Sequence, residues 1–275
     1  MTGQAQDFWN VPGELVVAFY ILGVIAVIVF FVGFWIRIRR WSEGEDTDGS
    51  LKGLGPARLI WLSITKFFSP DCLLAKRVFP RSRMRTIFLI GIVWGTVILF
   101  LGTVGRSFNT HIYQFLSNRA WLTFSAVLDI AGLYALIGII YFLSRRYIRK
   151  PERIVSGFQD SIFLLLLFLI LVTGFVIEGI RIVILNPPAL DWSFVGYTFG
   201  MITYLAAGGN TAVLQSTYLT LEVIHGAFAM SFVAYIPFSK GLHLFAAQIT
   251  TYLAAERKRD WQTAVAGAAK AELAK

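Results

Sequence analysis

The sequence predicts an all-α integral membrane protein, a bundle of five transmembrane helices with the N-terminus outside and the C-terminus cytoplasmic. Three observations carry this. The 275 residues are 56% hydrophobic and 15% charged, where a soluble domain carries about a quarter charged residues. The charges are excluded from several stretches long enough to cross a bilayer, which takes ~20 apolar residues at 1.5 Å of rise each. The Lys and Arg residues also gather on one side of an alternating topology. Residues 37–85 hold 11 of them, 145–153 hold 5 and 240–275 hold 6, which leaves only Arg106, Arg119 and Arg181 for the other side. The positive-inside rule places the three basic regions in the cytoplasm.

The first span is expected over about 15–36, ending in Arg37, Arg39 and Arg40. The opening MTGQAQDFWNVPGE has no basic region ahead of that apolar run. The run therefore reads as a retained helix rather than a cleaved signal. A polar cytoplasmic loop, 37–85, follows. Within it RLIWLSITKFF is too short and too interrupted to span, and reads as an amphipathic helix on the membrane surface. Spans two to four are expected at about 86–104, 121–143 and 161–180. The region 193–214 is semi-apolar, is interrupted by Gly196, Gly200, Gly208 and Gly209, and reads as an outer interfacial segment. The fifth span is expected over about 216–249, long enough to tilt or protrude, with a kink at Pro237. Residues 1–255 then form one membrane domain and 256–275 a cytoplasmic tail.

These features exclude several classes. The net charge of +9 sits in the flanks of apolar spans, where topology and anionic lipid require it, so no nucleic acid partner is expected. One cysteine, Cys72, makes neither a disulfide nor the ligand set of an iron–sulfur cluster. Five spans lack the doubled halves of common transporters.

Ionisable residues inside spans are costly and mark function by default. Here they are Asp129, Glu178, Arg181, Glu222, His225, Lys240 and His243. Glu178 and Arg181 lie one turn apart on a helix face, either as an ion pair or as part of a quinone or proton path. Asp129 faces the bundle interior with a partner that the sequence does not name. Lys240 can snorkel to the phosphates. His225 and His243 are 18 positions apart, five whole turns, so on a continuous helix they share a face ~27 Å apart. That spacing suits axial ligands of two stacked b-type haems. It equally suits two hydrogen-bonded interfacial histidines.

The segment VIHGAFAMSFVAYIPFSKGLHLF, 223–245, resembles the last membrane helix of the gamma subunit of respiratory nitrate reductase. In that family the two histidines, flanking a proline-phenylalanine-serine-basic run, ligate two b haems. The stretches VWGTVILFLGT (93–103), LDIAGLYALIGIIYFLSRRYIRKPERI (128–154) and DSIFLLLLFLILVTGFVIEGIRI (160–182), together with FWNVPGE near the start, resemble a sister group. That group comprises the cytochrome-like subunits of heterodisulfide reductase and membrane domains fused to related iron–sulfur oxidoreductases. The resemblance implies a five-helix bundle exchanging electrons between membrane quinone and a cytoplasmic iron–sulfur subunit. The setting would be a hetero-oligomeric respiratory complex in the inner membrane of a prokaryote. This chain would carry no iron–sulfur cluster and would not be a complete enzyme alone.

The sequence departs from the family on span two. Where the family places its other haem ligands, this chain has Leu89 and, further out, Leu99 and Phe100. Its remaining histidine is His111, expected ~15 Å too far along the helix. Three histidines furnish at most one bis-histidine haem, so the expected haem b count is none or one. The expected ligands of a single haem are His225 and His111, on the outer side. His243 would then be a five-coordinate haem ligand or a quinone-site residue. The alternative is a haem-free membrane anchor for the same complex.

Overall fold

The five apolar stretches become helices because a backbone in hydrocarbon must satisfy its own N–H and C=O groups. The computed structural model describes residues 9–42, 82–116, 118–149, 158–186 and 190–242, with the single positions Ala57, Trp61 and Thr65. Its α-helices are α1 (Gly13–Ser42), α2 (Arg83–His111), α3 (Asn118–Leu143), α4 (Phe158–Leu185), α5 (Phe194–Ala206) and α6 (Thr211–Tyr235). No strand occurs among the described residues. All but α5 are long and apolar enough to span a membrane, which makes the chain a multi-pass membrane protein.

The first four spans each begin two or three residues before the stretch of low charge that marked them. Caps and turns set these limits. Ser82 caps α2, its Oγ accepting from Arg85 N–H at 3.4 Å. Asn210 caps α6, accepting from Ala212 N–H at 3.0 Å and Val213 N–H at 3.3 Å. At the far end of α2, buried Asn109 accepts from Phe115 and Leu116 N–H, both at 2.9 Å, and closes the turn into α3.

The bundle is built around small residues. Lipid is as apolar as leucine, so membrane helices gain by close approach rather than by expelling water. Gly91 and Gly95 give α2 one smooth face, and α3 lies directly on it. A Cβ at Gly95 would sit 2.5 Å from Ala131 O and 2.7 Å from Ala135 Cβ. The Tyr134 hydroxyl donates to Ile87 O at 2.7 Å across the same seam. α4 packs on α5 and α6, and α6 packs on α1. Ile92, Leu136, Leu171, Phe175 and Phe232 join α2, α3, α4 and α6 in one core cluster.

The region 193–214 departs from its expected form. Gly196 and Gly200 do not interrupt a segment; they lie inside α5, four residues apart, and meet Gly179 of α4 backbone to backbone. The chain leaves α4 at Leu185, yet α5 starts beside Glu178. It has therefore turned back onto the bundle, and α5 is a short half-helix that buries Val195, Gly196 and Gly200. Gly208 (φ +60°) and Gly209 (φ +75°) make the tight turn into α6, in the left-handed region that glycine adopts at no steric cost.

The fifth span also departs. Pro237 ends the α-helix rather than kinking it. The α-helix stops at Tyr235, a 3-10 turn covers Ile236–Phe238, and Ser239 is extended (φ −101°, ψ 174°) before a second 3-10 turn, Lys240–Leu242. Proline removes an N–H and crowds the preceding turn. Here the break seats Pro237 and Phe238 on Gly33 of α1, where a Cβ would meet them at 2.9 and 2.8 Å. The expected continuation to 249 falls outside the described residues, as does most of the expected surface helix at 58–68. Of the latter, Trp61 and Thr65 are helical and exposed.

Candidate functional site

Two polar constellations sit inside this apolar bundle, one turn apart along α4. The first is built on His225 of α6. Its Nδ1 lies 2.9 Å from Thr173 Oγ1 of α4, and Ile170 O is a second backbone partner of the ring. Thr173 Oγ1 is also 2.7 Å from Leu169 O and 3.2 Å from Ile170 O. A hydroxyl has one hydrogen. It goes to the Leu169 carbonyl, so Nδ1 carries the imidazole proton and donates to Thr173. Gly174 makes room for the ring, since a Cβ there would lie 3.2 Å from His225 Cε1. Nε2 has no hydrogen bond among the described residues and keeps its lone pair. An imidazole held through Nδ1–H with Nε2 open has the arrangement of a metal-ligating histidine.

The second constellation joins three helices. Asp129 of α3 is 1% exposed. Its Oδ2 accepts from the first N–H groups of α5, Val195 at 2.9 Å and Gly196 at 3.4 Å. The Glu178 carboxyl of α4 meets the same Gly196 whose N–H faces Asp129 Oδ2. A Cβ at Gly196 would stand 3.0 Å from Glu178 Cγ. Asp129 Oδ1 is buried with no hydrogen-bond partner. The partner of Asp129 that the sequence left open is thus Glu178 together with the start of α5.

The other expected residues are scattered. Arg181 and Glu222 are half-buried, and each is engaged in an interaction. Lys240 opens the 3-10 turn after Pro237, and His243 lies outside the described residues. The helical break between His225 and Lys240 removes the continuous five turns on which the shared-face spacing rested.

His111 and His225 are not brought together. His225 sits level with Gly174, Phe175 packs on Gly132, and the adjacent Ala131 packs on Gly95. His111 ends α2, sixteen residues beyond Gly95, roughly 20 Å further along the bundle. The sequence reading missed Thr173, Gly174, Val195 and Gly196. A signal for the first two was available, because Thr173–Gly174 is the one polar or small interruption of the apolar run 162–177.

The fold and these sites define a class: a five-span membrane bundle with a half-buried histidine between two spans and a carboxyl pair built on buried Asp129. The comparisons place it more closely. The family described as nitrate reductase gamma subunit matches residues 82–263, well over half of the chain, and the chain belongs to that family. It is 29% identical over 250 residues to the EtfAB:quinone oxidoreductase of Syntrophomonas wolfei, covering 87% of this chain and 33% of that protein. The chain therefore spans about a third of that relative's length. It is 25% identical over 255 residues to a subunit of the dihydromethanophenazine:CoB–CoM heterodisulfide reductase of Methanosarcina thermophila, covering 82% of this chain and 87% of the relative. A shorter match, 30% over 118 residues, covers 43% of this chain and 16% of the Bacillus subtilis protein named "Probable iron-sulfur-binding oxidoreductase FadF". No solved structure matches. The chain is thus a multi-pass membrane protein of the nitrate reductase gamma subunit family.

Proposed function

We propose that this chain carries electrons between membrane quinone and a cytoplasmic iron–sulfur protein, with one b-type haem held by Nε2 of His225. The observation that carries the reading is the His225 imidazole, held through Nδ1 by Thr173 across the α4–α6 seam. The names of the relatives support it, since they specify a quinone, a heterodisulfide reductase and iron–sulfur binding.

When bound, haem would supply a one-electron carrier in the interior of the bundle. The chain's own residues do the rest. Thr173 and Ile170 fix the orientation and the protonated nitrogen of His225. Gly174 leaves the slot that the ring occupies. The apolar walls of α4 and α6 exclude water from it. Lys240, Arg181 and Glu222, with His243 near the basic end, are the remaining candidates for quinone contact or proton movement. The basic regions 37–85 and 240–275 would face the cytoplasm of a prokaryotic cell and form the docking surface for the soluble subunit.

One observation favours a second reading, the haem-free anchor: the backbone of His111 ends α2, roughly 20 Å along the bundle from the level of His225. A reduced-minus-oxidised absorbance spectrum of the purified complex separates the two. A b-type alpha band that His225→Ala abolishes supports the cytochrome. The absence of any such band in the unaltered protein supports the anchor.

A further inference from the structure

We propose that Asp129 and Glu178 form a proton-binding site: the pair holds one proton between its carboxyl groups and takes a second from quinol.

The first half follows from what surrounds the pair. Asp129 is the sole charged residue between Arg119 and Arg145, and Glu178 the sole one between Asp160 and Arg181. α5, which packs on both, contains no charged residue. Among the described residues nothing donates to Asp129 Oδ1, and both carboxyl groups pack on Gly196. Two ionised carboxylates at that range inside a bilayer repel strongly and each lacks hydration. One proton between them removes both difficulties. The proton lies between Oδ1 and the Glu178 carboxyl as a charge-assisted hydrogen bond. The remaining negative charge stays on Oδ2, facing Val195 and Gly196 N–H at a helix N-terminus equivalent to about half a positive charge. Titratable groups on the elements packed against the pair include Arg181, one turn on along α4, Tyr197 and Tyr204 on α5, and Glu222 and His225 on α6.

The second half rests on the quinone reading above. Oxidation of a quinol releases two electrons and two protons. In each of two steps a quinol O–H bond breaks and an O–H bond forms on the pair, whose charge goes from −1 to 0. The electron leaves to a one-electron acceptor, haem iron or the iron–sulfur protein. The pair returns to −1 by releasing its extra proton to water at the α5 end of the bundle. Quinone reduction runs the same steps backwards.

Glu178→Gln isolates the proton. The amide can still donate to Asp129 Oδ1, so the packing contact survives while the shared proton is lost. In the purified complex, infrared spectroscopy in water and deuterium oxide reads a protonated-carboxyl carbonyl stretch directly. The expected result is a deuterium-sensitive band in the unaltered complex that Glu178→Gln removes. Oxidation of a short-chain menaquinol or ubiquinol analogue should slow by about 10²-fold or more in the same variant. Asp129→Asn, which keeps an acceptor for α5 and a donor for Glu178, should slow it comparably. Absence of the band from the unaltered complex overturns the proton site. A band lost in Glu178→Gln with an unchanged quinol rate overturns its role in quinone chemistry and leaves a structural pair. An unaltered complex that oxidises no quinol sinks the quinone reading instead, and the infrared result still decides whether the pair holds a proton.

Discussion

His225 Nδ1 and Thr173 Oγ1 lie 2.9 Å apart across the α4–α6 seam, joined from positions 52 residues apart in the chain. The contact decides which imidazole nitrogen is free. Because Thr173 spends its one hydrogen on Leu169 O, the histidine must donate, and Nε2 becomes the ligand atom.

Thr173→Val tests this relationship with little change of shape. It removes one hydrogen bond, worth about 1 kcal/mol of stability. Where haem is bound, losing the partner of a ligating histidine lowers affinity about 10–100-fold. Thr173→Ser should restore both properties. Haem per protein after detergent washing, with the absorbance spectrum, measures it. An unchanged ratio and spectrum in Thr173→Val would show that Nδ1 is held by Ile170 alone.

The α2–α3 seam makes a contrast between two glycines of one helix. A Cβ at Gly95 would be 2.5 Å from a backbone carbonyl, whereas at Gly105 its nearest neighbour would be a Phe124 ring carbon at 3.8 Å. Both substitutions to alanine improve helix propensity equally. Gly95→Ala should nonetheless destabilise by about 1–3 kcal/mol, because backbone cannot step aside as a side chain can. Gly105→Ala should be neutral or slightly stabilising. Thermal unfolding in detergent compares them, and equal melting temperatures would mean the seam is looser than described.

Much of this fold was legible because a bilayer enforces length and apolarity so strictly. Five long apolar runs, none with more than two charged residues, marked all five spans. The half-helix α5 was not legible. Its Gly196 and Gly200 read as breaks in a water-soluble frame, but against Gly179 they are the packing surface itself. The site was partly legible: His225, Asp129 and Glu178 stood out as ionisable residues in spans. Their partners did not, since Thr173 and the α5 N–H groups come from elements whose approach depends on tertiary packing. The spacing of His225 and His243 misled for a local reason. It assumed an unbroken helix through Pro237, and the chain leaves the helix at Tyr235.

The turn between α2 and α3 depends on one side chain. Asn109, 5% exposed, accepts from two consecutive N–H groups. Asn109→Leu would leave both without that acceptor, at about 1–3 kcal/mol for a buried unmet donor. Asn109→Asp keeps an acceptor and should cost less. Limited proteolysis at 112–117, together with the melting temperature, reads the difference. Equal cleavage of the two variants would mean that this amide does not hold the turn.

Orientation is the remaining expectation, and charge asymmetry is its physical basis. Arg37, Arg39, Arg40, Arg83, Arg85, Arg145, Arg146 and Arg149 cluster at one end of the bundle, against Arg106, Arg119 and Arg181 towards the other. Moving a cluster of that size across a membrane during insertion is unfavourable, so the basic end should be cytoplasmic. Tyr113 and Ile148 report the two ends well, being 69% and 79% exposed on either side of the α3 span. In a Cys72→Ser background, Tyr113→Cys should react with an impermeant maleimide added to intact cells. Ile148→Cys should react only after the cells are opened. The opposite pattern would invert the bundle, and the iron–sulfur partner would then have no cytoplasmic basic face on which to dock.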